Sequence, residues 1–187
     1  MVLNTPLQHL HAIELPTPFP VGPITVCVAS APDEPLTLVD TGPQTEDAWT
    51  TLERGLAQLG HTPADLARII ITHAHVDHFG LAARLAKVSG AEVLAHRQNV
   101  QTFKDFAGDR DRRTTFFAGL LREASVPANL IAAISEATRG LRRFARSVAV
   151  DTPLDEGDRL SLAGYDWRVL HTPGHAGGLV CLYEHES

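Results

Sequence analysis

Four side chains that can bind a metal stand close together in the segment His73-Ala74-His75-Val76-Asp77-His78. Imidazole nitrogens and carboxylate oxygens are the usual ligands of zinc and related divalent metals. His73 and His75 are two residues apart, so in an extended segment both side chains project to the same side. Asp77 and His78 follow where the chain turns, and we expect them to face a second, adjacent position. The spacing therefore predicts a metal centre.

A second histidine motif, His171-Thr172-Pro173-Gly174-His175, lies about a hundred residues further along the chain. Pro173 and Gly174 favour a tight turn, which can direct His175 back toward a metal. Together with the first motif, His175 is a candidate third ligand. For His171 a structural role, or a role as the partner of a ligand, is the better interpretation.

Apolar runs that precede both motifs are expected to position them. Residues 68–72 form a continuous β-branched run, typical of a strand that is buried on both faces. Residues 166–170 are a second strand, directly before His171. The remaining predicted elements are strands at 7–15, 24–30, 36–40, 92–96, 159–163 and 179–184, helices at 45–59 and 78–88, and a short helix after a cap at 62–65.

Residues 97–146 have a different character from the flanking sequence. Helix formers dominate, and the pattern predicts two or three helices that end at Gly140 or continue to about Arg146. Ten Lys and Arg stand against five Asp and Glu in this segment. Its arginines include Arg110, Arg112, Arg113, Arg139, Arg142, Arg143 and Arg146. They are either a solvated helix face or a surface that attracts an anionic substrate such as a thioester of glutathione or coenzyme A.

Strands on both sides of a helical block indicate an α/β or α+β fold. The net charge of −6 argues against a protein that binds nucleic acid through its overall charge. No apolar run is long enough to span a bilayer, and residues 1–53 contain no Lys or Arg for a signal peptide. Cys27 and Cys181 lie in apolar runs and are expected to be buried thiols. We therefore expect a cytoplasmic protein.

The runs HAHVDH and HTPGHAGG together resemble the metallo-β-lactamase superfamily of metal-dependent hydrolases. The run Leu38-Val39-Asp40-Thr41-Gly42 resembles the turn that precedes the metal motif in that family. The resemblance implies an αβ/βα sandwich with the metals at one edge between two sheets. It assigns His73, His75 and His175 to a first metal, and Asp77 and His78 to a second one. Asp40 would steady a ligand from outside, and His96 is a candidate pocket residue.

The sequence departs from the family after the strand at 179–184. The family continues into a second half that supplies a bridging aspartate and a late histidine ligand. Gly157-Asp158 precedes His175, and His185 comes too early for the late ligand. We therefore expect residues 1–187 to be the N-terminal part of a metallo-β-lactamase-like domain, incomplete at its C-terminus, with a helical insertion at 97–146. The second metal site would be incomplete, and an exposed sheet edge would favour a homodimer.

The resemblance implies an enzyme that uses metal-bound hydroxide on a small-molecule ester, thioester or lactone. Zinc, in one or two copies, is the expected cofactor, with iron and manganese as alternatives. Asp77 would orient the nucleophile, accept its proton, or both. Glyoxalase II-like thioesterases fit best among the family branches. The alternatives are a mononuclear iron persulfide dioxygenase, a phosphodiesterase or nuclease, and a non-catalytic metal-binding fragment.

Overall fold

Two sheets and a layer of helices make up the computed structural model, which describes residues 2–4 and 7–185. The strands are β1 (Val2–Asn4), β2 (Leu10–Leu15), β3 (Ile24–Ala29), β4 (Thr37–Val39), β5 (Arg68–Ile71), β6 (Glu92–His96), β7 (Thr152–Leu154), β8 (Arg159–Leu162), β9 (Tyr165–His171) and β10 (Val180–Tyr183). The helices are α1 (Glu46–Gln58), α2 (Val76–Phe79), α3 (Ala82–Ser89), α4 (Val100–Lys104), α5 (Phe106–Glu123) and α6 (Ala128–Gly140). None of the described helices is both long and apolar enough to cross a membrane.

The larger sheet has seven strands in the order β1 to β7, and the smaller one has the order β10-β9-β8. Pairing is antiparallel from β1 to β4 and parallel from β4 to β7. The smaller sheet is antiparallel throughout. Because β4, β5 and β6 run in parallel, the loops that follow them emerge at one edge of the large sheet.

Each face of the large sheet is covered by a different layer. Helices α1 to α3 pack on one face, where Leu52, Phe79 and Leu85 join the side chains of Ile69 and Ile71 in one core cluster. The opposite face packs on the smaller sheet, where Ile70 and Leu94 meet residues of β9 and β10 in a second cluster. Strand β5 is therefore apolar on both faces, as its sequence predicts.

The predicted strand at 92–96 agrees with β6, and the helix at 45–59 agrees with α1, whose cap Thr45 accepts a hydrogen bond from the amide of Ala48 at 3.1 Å. Helices α4, α5 and α6 fill the segment between β6 and β7, and α6 ends at Gly140 before a 3₁₀ turn at Leu141–Phe144. The mixed α/β fold is confirmed.

Other predictions differ from the structure in ways that have local causes. Strand β1 was not predicted, and the strand predicted at 7–15 is β2, which starts at Leu10 because His9 has a positive φ of 64° and belongs to a turn. The short helix after Thr62 is a single 3₁₀ turn, Pro63–Asp65, closed by a capping box. The helix at 78–88 is two helices, α2 and α3, separated at Gly80 and Leu81.

Two further differences concern β7 and the cysteines. Strand β7 was not predicted, since Pro153 at its centre is tolerated only at the sheet edge that β7 occupies. The expectation of two buried thiols is wrong for Cys181, which is exposed, whereas Cys27 is half-buried. Side chains alternate along β10, so Val180 faces the core and Cys181 points away from it.

Gly80 is expected to be intolerant of any side chain. A Cβ at this position would lie 2.4 Å from the carbonyl oxygen of Phe144 and 2.5 Å from both the amide nitrogen of Gln44 and the carbonyl oxygen of Val76. Because all three atoms belong to the backbone, they cannot turn away as a flexible side chain would. Gly80→Ala should lower the free energy of unfolding by about 3 kcal/mol, at the upper end of the usual overpacking cost.

Urea denaturation of the variant would measure this effect, with Gly119→Ala as the matched control. Gly119 lies within α5 and has open space around the position of a Cβ. The free energy of unfolding of the control should therefore be higher than that of the wild type by about 0.5–1 kcal/mol, because alanine has the better helix propensity. Equal unfolding midpoints for the two variants would contradict the tight packing described at Gly80.

Candidate metal centre

Loops from both sheets bring the candidate ligands together. Asp40 follows β4 and the segment 73–78 follows β5, so both lie at the edge where parallel strands end. His175 comes from the smaller sheet, in the loop between β9 and β10. The amide of Val180 donates to the carbonyl oxygen of Thr72 at 3.0 Å, which joins the start of β10 to the end of β5.

The side chains of His73, His75 and His175 form a cluster, which we call the histidine trio. One ring nitrogen of each histidine lies within 4.8 Å of those of the other two. Nε2 of His73 is 3.2 Å from Nδ1 of His75, and the ring centre of His175 is 4.5 Å from that of His75. His73 is buried, His75 is half-buried and His175 is exposed, so the trio has one open side.

The trio is electrically suited to a cation. Burial, reinforced by the neighbouring histidines, lowers the pKa of His73 to about 3. Burial and then His175 lower the pKa of His75. These two imidazoles are therefore neutral at pH 7, which is the form that binds metals. Three imidazoles around one point match the ligand set of a catalytic zinc site that keeps its remaining position open.

Asp40 is the centre of a hydrogen-bond network beside the trio. Its Oδ2 accepts a hydrogen bond from Nδ1 of His78 at 2.7 Å, and its Oδ1 accepts one from the amide of Thr72 at 2.9 Å. The Thr72 hydroxyl donates to the same carboxylate at 2.8 Å. Burial opposes a charge on His78, but the hydrogen bond and the charges of Asp40 and Asp77 raise its pKa overall. A carboxylate on Nδ1 orients the ring, so that Nε2 is left as its second contact.

Asp77 and His78 form a pair next to the trio. Nε2 of His78 is 3.8 Å from Oδ2 of Asp77, and the ring centre of His78 is 4.1 Å from that of His73. Asp77 is half-buried. Within the described residues, the trio is the one set of three such side chains whose ligand atoms meet. That Asp77 and His78 hold a second metal stays a prediction.

His96 and His171 contact one another and stand outside the trio. Their rings stack with centres 4.0 Å apart and planes 14° apart. Nε2 of His171 donates to the carbonyl oxygen of Gly177 at 2.8 Å, which fixes the loop that carries His175. The structural role expected of His171 agrees with this contact, and a place for His96 in a substrate pocket stays a prediction.

Two residues that support the site were missed by sequence reasoning. Thr72 contacts Asp40, and its hydroxyl also lies 3.0 Å from Nδ1 of His73, so it connects the network to the trio. Buried Asn99 donates from Nδ2 to the carbonyl oxygen of Gly178 at 2.8 Å and so holds the end of the His175 loop. Thr72 lies next to the first motif and could have been suspected, whereas no sequence pattern marks Asn99.

Three clefts open at the trio, and His75 and Arg110 line all three. One cleft of about 230 Å³ also contains His175 and Asn99. A second of about 500 Å³ extends between α5 and α6, past Phe117. The third, of about 320 Å³, lies on the side of Asp77. A small molecule therefore has access to the trio from more than one direction.

Comparison with known proteins agrees with this geometry. Residues 21–187 match the profile of the Metallo-beta-lactamase superfamily. The probable metallo-hydrolase YqjP of Bacillus subtilis is 31% identical over 181 residues, which are 96% of this chain and 54% of that protein. The hydroxyacylglutathione hydrolase GloC of Haemophilus influenzae is 26% identical over 135 residues, which are 72% of this chain and 52% of that protein. The chain thus spans about half the length of these two relatives.

Solved structures show the same fold. A metallo-beta-lactamase family protein of Thermus thermophilus has a TM-score of 0.74 and 28% identity, over 94% of this chain and 55% of that one. BJP-1, a subclass B3 metallo-beta-lactamase of Bradyrhizobium japonicum, has a TM-score of 0.67 at 22% identity, over 97% of this chain and 55% of that one, and is alike in fold. Because the family profile covers most of the sequence and the histidine trio lies where loops of the two sheets meet, the chain belongs to the metallo-β-lactamase superfamily of metal-dependent hydrolases.

Proposed function

We propose that this protein is a metal-dependent hydrolase of small-molecule esters, with thioesters as the preferred class. The histidine trio, open on one side to three clefts, is the observation that carries the proposal. The relatives in Bacillus subtilis and Haemophilus influenzae are a probable metallo-hydrolase and a hydroxyacylglutathione hydrolase, so both support hydrolysis and the second supports a thioester substrate.

The residues of the centre take distinct roles in this proposal. His73, His75 and His175 would hold the first metal, and Asp77 and His78 would contribute to a second. A bound divalent metal supplies a Lewis acid and lowers the pKa of water to near 7. Asp77 accepts the proton of the attacking water at its carboxylate, and Asp40 holds His78 in one orientation. Zinc is the proposed metal, since imidazole and carboxylate are its usual donors.

Two further features of the proposal concern the environment of the protein. A reducing cytoplasm suits Cys27 and Cys181, both of which are free thiols. A homodimer could form through β10, which is an edge strand of the smaller sheet within the described residues. The substrate is a small molecule, with no partner membrane or nucleic acid.

The proposal is tested by loading the purified chain with zinc, manganese or iron(II) and measuring turnover of a hydroxyacylglutathione and of 4-nitrophenyl acetate. We expect hydrolysis that a chelator abolishes and that added metal restores. Asp77→Asn should reduce kcat by about 10²- to 10⁴-fold, the usual contribution of a general base. Elemental analysis of this variant should still find metal at the trio, because all three histidines are retained.

Other outcomes would assign the protein to a different functional class. Metal binding without hydrolysis of either ester would leave a non-catalytic metal-binding module. Cleavage of bis(4-nitrophenyl) phosphate in place of both esters would indicate a phosphodiesterase. Oxygen consumption with glutathione persulfide, confined to the iron-loaded chain, would indicate a dioxygenase.

A further inference from the structure

Arg110 differs from the other arginines of the helical segment in where its side chain lies. It is on α5, half-buried, and lines each of the three clefts together with His75. Its positive charge is close enough to contribute to the lowered pKa of His75. The guanidinium lies over the Phe106 ring, with Cζ 5.7 Å from the ring centre. Arg110 thus places a positive charge where the clefts meet the trio.

Neighbouring arginines already have partners. Nε of Arg113 donates to Oδ2 of Asp109 at 2.7 Å, and NH1 of Arg112 donates to Oδ2 of Asp105 at 2.9 Å. Arg142 binds Asp111 in the same way at 2.9 Å. Across residues 2–4 and 7–185, neither an ion pair nor a side-chain hydrogen bond satisfies the guanidinium of Arg110.

A half-buried charge is costly: burial and the neighbouring charge of Arg113 lower the pKa of Arg110, and Asp109, whose carboxylate accepts a hydrogen bond from Arg113, opposes this shift. An incoming anion would remove that cost. The guanidinium fork matches the two oxygens of a carboxylate, which makes the contact both strong and directional. The adjacent side chains of Phe117, Leu121 and Ile134 give the 500 Å³ cleft an apolar wall.

We propose that Arg110 binds a carboxylate of the substrate and selects esters that carry this group close to the scissile bond, with an apolar remainder in the cleft between α5 and α6. This inference rests on the proposed function for its catalytic consequence. The binding of a carboxylate is inferred from Arg110 and the clefts alone and does not depend on catalysis. Binding and catalysis are therefore measured separately.

The binding experiment uses the metal-free chain, so that a carboxylate cannot bind to a metal instead. Succinate is titrated into the ¹⁵N-labelled protein, with neutral succinamide in a parallel titration, and the arginine Nε–Hε resonances are followed. Succinate, and not succinamide, should shift the resonance of Arg110. Arg110→Gln should raise the Kd of succinate by about 10- to 100-fold, whereas Arg112→Gln, at an exposed arginine that is paired with Asp105 and lies outside the three clefts, should change it by at most about 2-fold. Arg110→Lys, which keeps the charge and loses the fork, should lie between them.

The absence of succinate binding to the wild type, or equal affinity in the wild type and Arg110→Gln, would overturn the inference. The kinetic experiment compares 4-nitrophenyl acetate with mono-4-nitrophenyl succinate on the metal-loaded chain. Arg110→Gln should lower kcat/KM for the succinate ester by about 10- to 100-fold and leave the acetate ester within about 2-fold. An equal loss on both esters would also overturn it.

Failure of the two proposals can be told apart. If neither ester is hydrolysed but succinate binds through Arg110, the proposed function fails and the anion site stands. If both esters are hydrolysed while Arg110→Gln changes neither binding nor selectivity, the hydrolase stands and the anion site fails.

Discussion

Replacing His175 by alanine is expected to lower the affinity for zinc by at least about a hundredfold, beyond the roughly 10- to 100-fold effect of losing an outer partner of a ligand. The reason is that His175 is the one member of the trio supplied by the smaller sheet, so that His73 and His75 alone remain after its removal. His175 is exposed in a loop, and the substitution should change the free energy of unfolding by no more than about 0.5 kcal/mol.

Calorimetric titration of the metal-free chain with zinc would measure this affinity, and elemental analysis would give the zinc content of the purified variant. His61→Ala is the matched control, because His61 follows the end of α1 and has no place in the trio. Zinc binding that is the same in both variants would remove His175 from the metal centre. Two zinc ions per wild-type chain would mean that Asp77 and His78 also hold a metal.

Asp40→Asn is expected to lower the affinity for a second metal by about 10- to 100-fold, the range for partners of metal ligands. The carboxylate accepts the hydrogen of Nδ1 of His78, so that in the neutral imidazole the unprotonated nitrogen is Nε2. Oδ1 accepts from the amide of Thr72, so the amide group of asparagine would put its oxygen there and its NH₂ toward His78. The imidazole would then carry its proton on Nε2, where it blocks coordination. The φ of +60° at residue 40 suits asparagine, so the backbone should be unchanged.

The tautomer of His78 can be read directly from its ¹⁵N chemical shifts, and cobalt titration would report the second metal. Thr72→Ser serves as the control, since it keeps the hydroxyl that contacts Asp40. If the proton of His78 stays on Nδ1 in Asp40→Asn and the second metal binds as before, Asp40 does not determine the tautomer of His78.

The elements that could be predicted from the sequence are those whose pattern is complete within a few residues. Strand β6 agrees with its prediction because both of its faces are apolar and Gly90 ends the preceding helix in the left-handed region. The two histidine motifs could be recognised because each is local. That they meet at one edge depends on how the smaller sheet packs on the larger one, an arrangement that the resemblance to a known family implied.

Other features depend on residues that are far apart in the sequence. The need for a glycine at residue 80 comes from the backbone of Phe144 and Gln44, which no pattern near residue 80 reveals. Asn99 matters because its amide meets Gly178. Arg110 has the same residue type as Arg112 and Arg113, and it is distinguished from them by its partial burial and by the pairing of its neighbours with Asp105 and Asp109.

The order of elements along the chain has a consequence for how this protein can evolve. Helices α4 to α6, which carry Arg110 and the apolar wall of one cleft, lie between β6 and β7, whereas the trio, Asp40, Asp77 and His78 all lie outside that segment. Under the proposed function, mutation, insertion or exchange within the helical segment can therefore alter which molecules are accepted while the candidate metal ligands are inherited unchanged. In this architecture a new substrate specificity can arise without an evolutionary intermediate that lacks the metal centre.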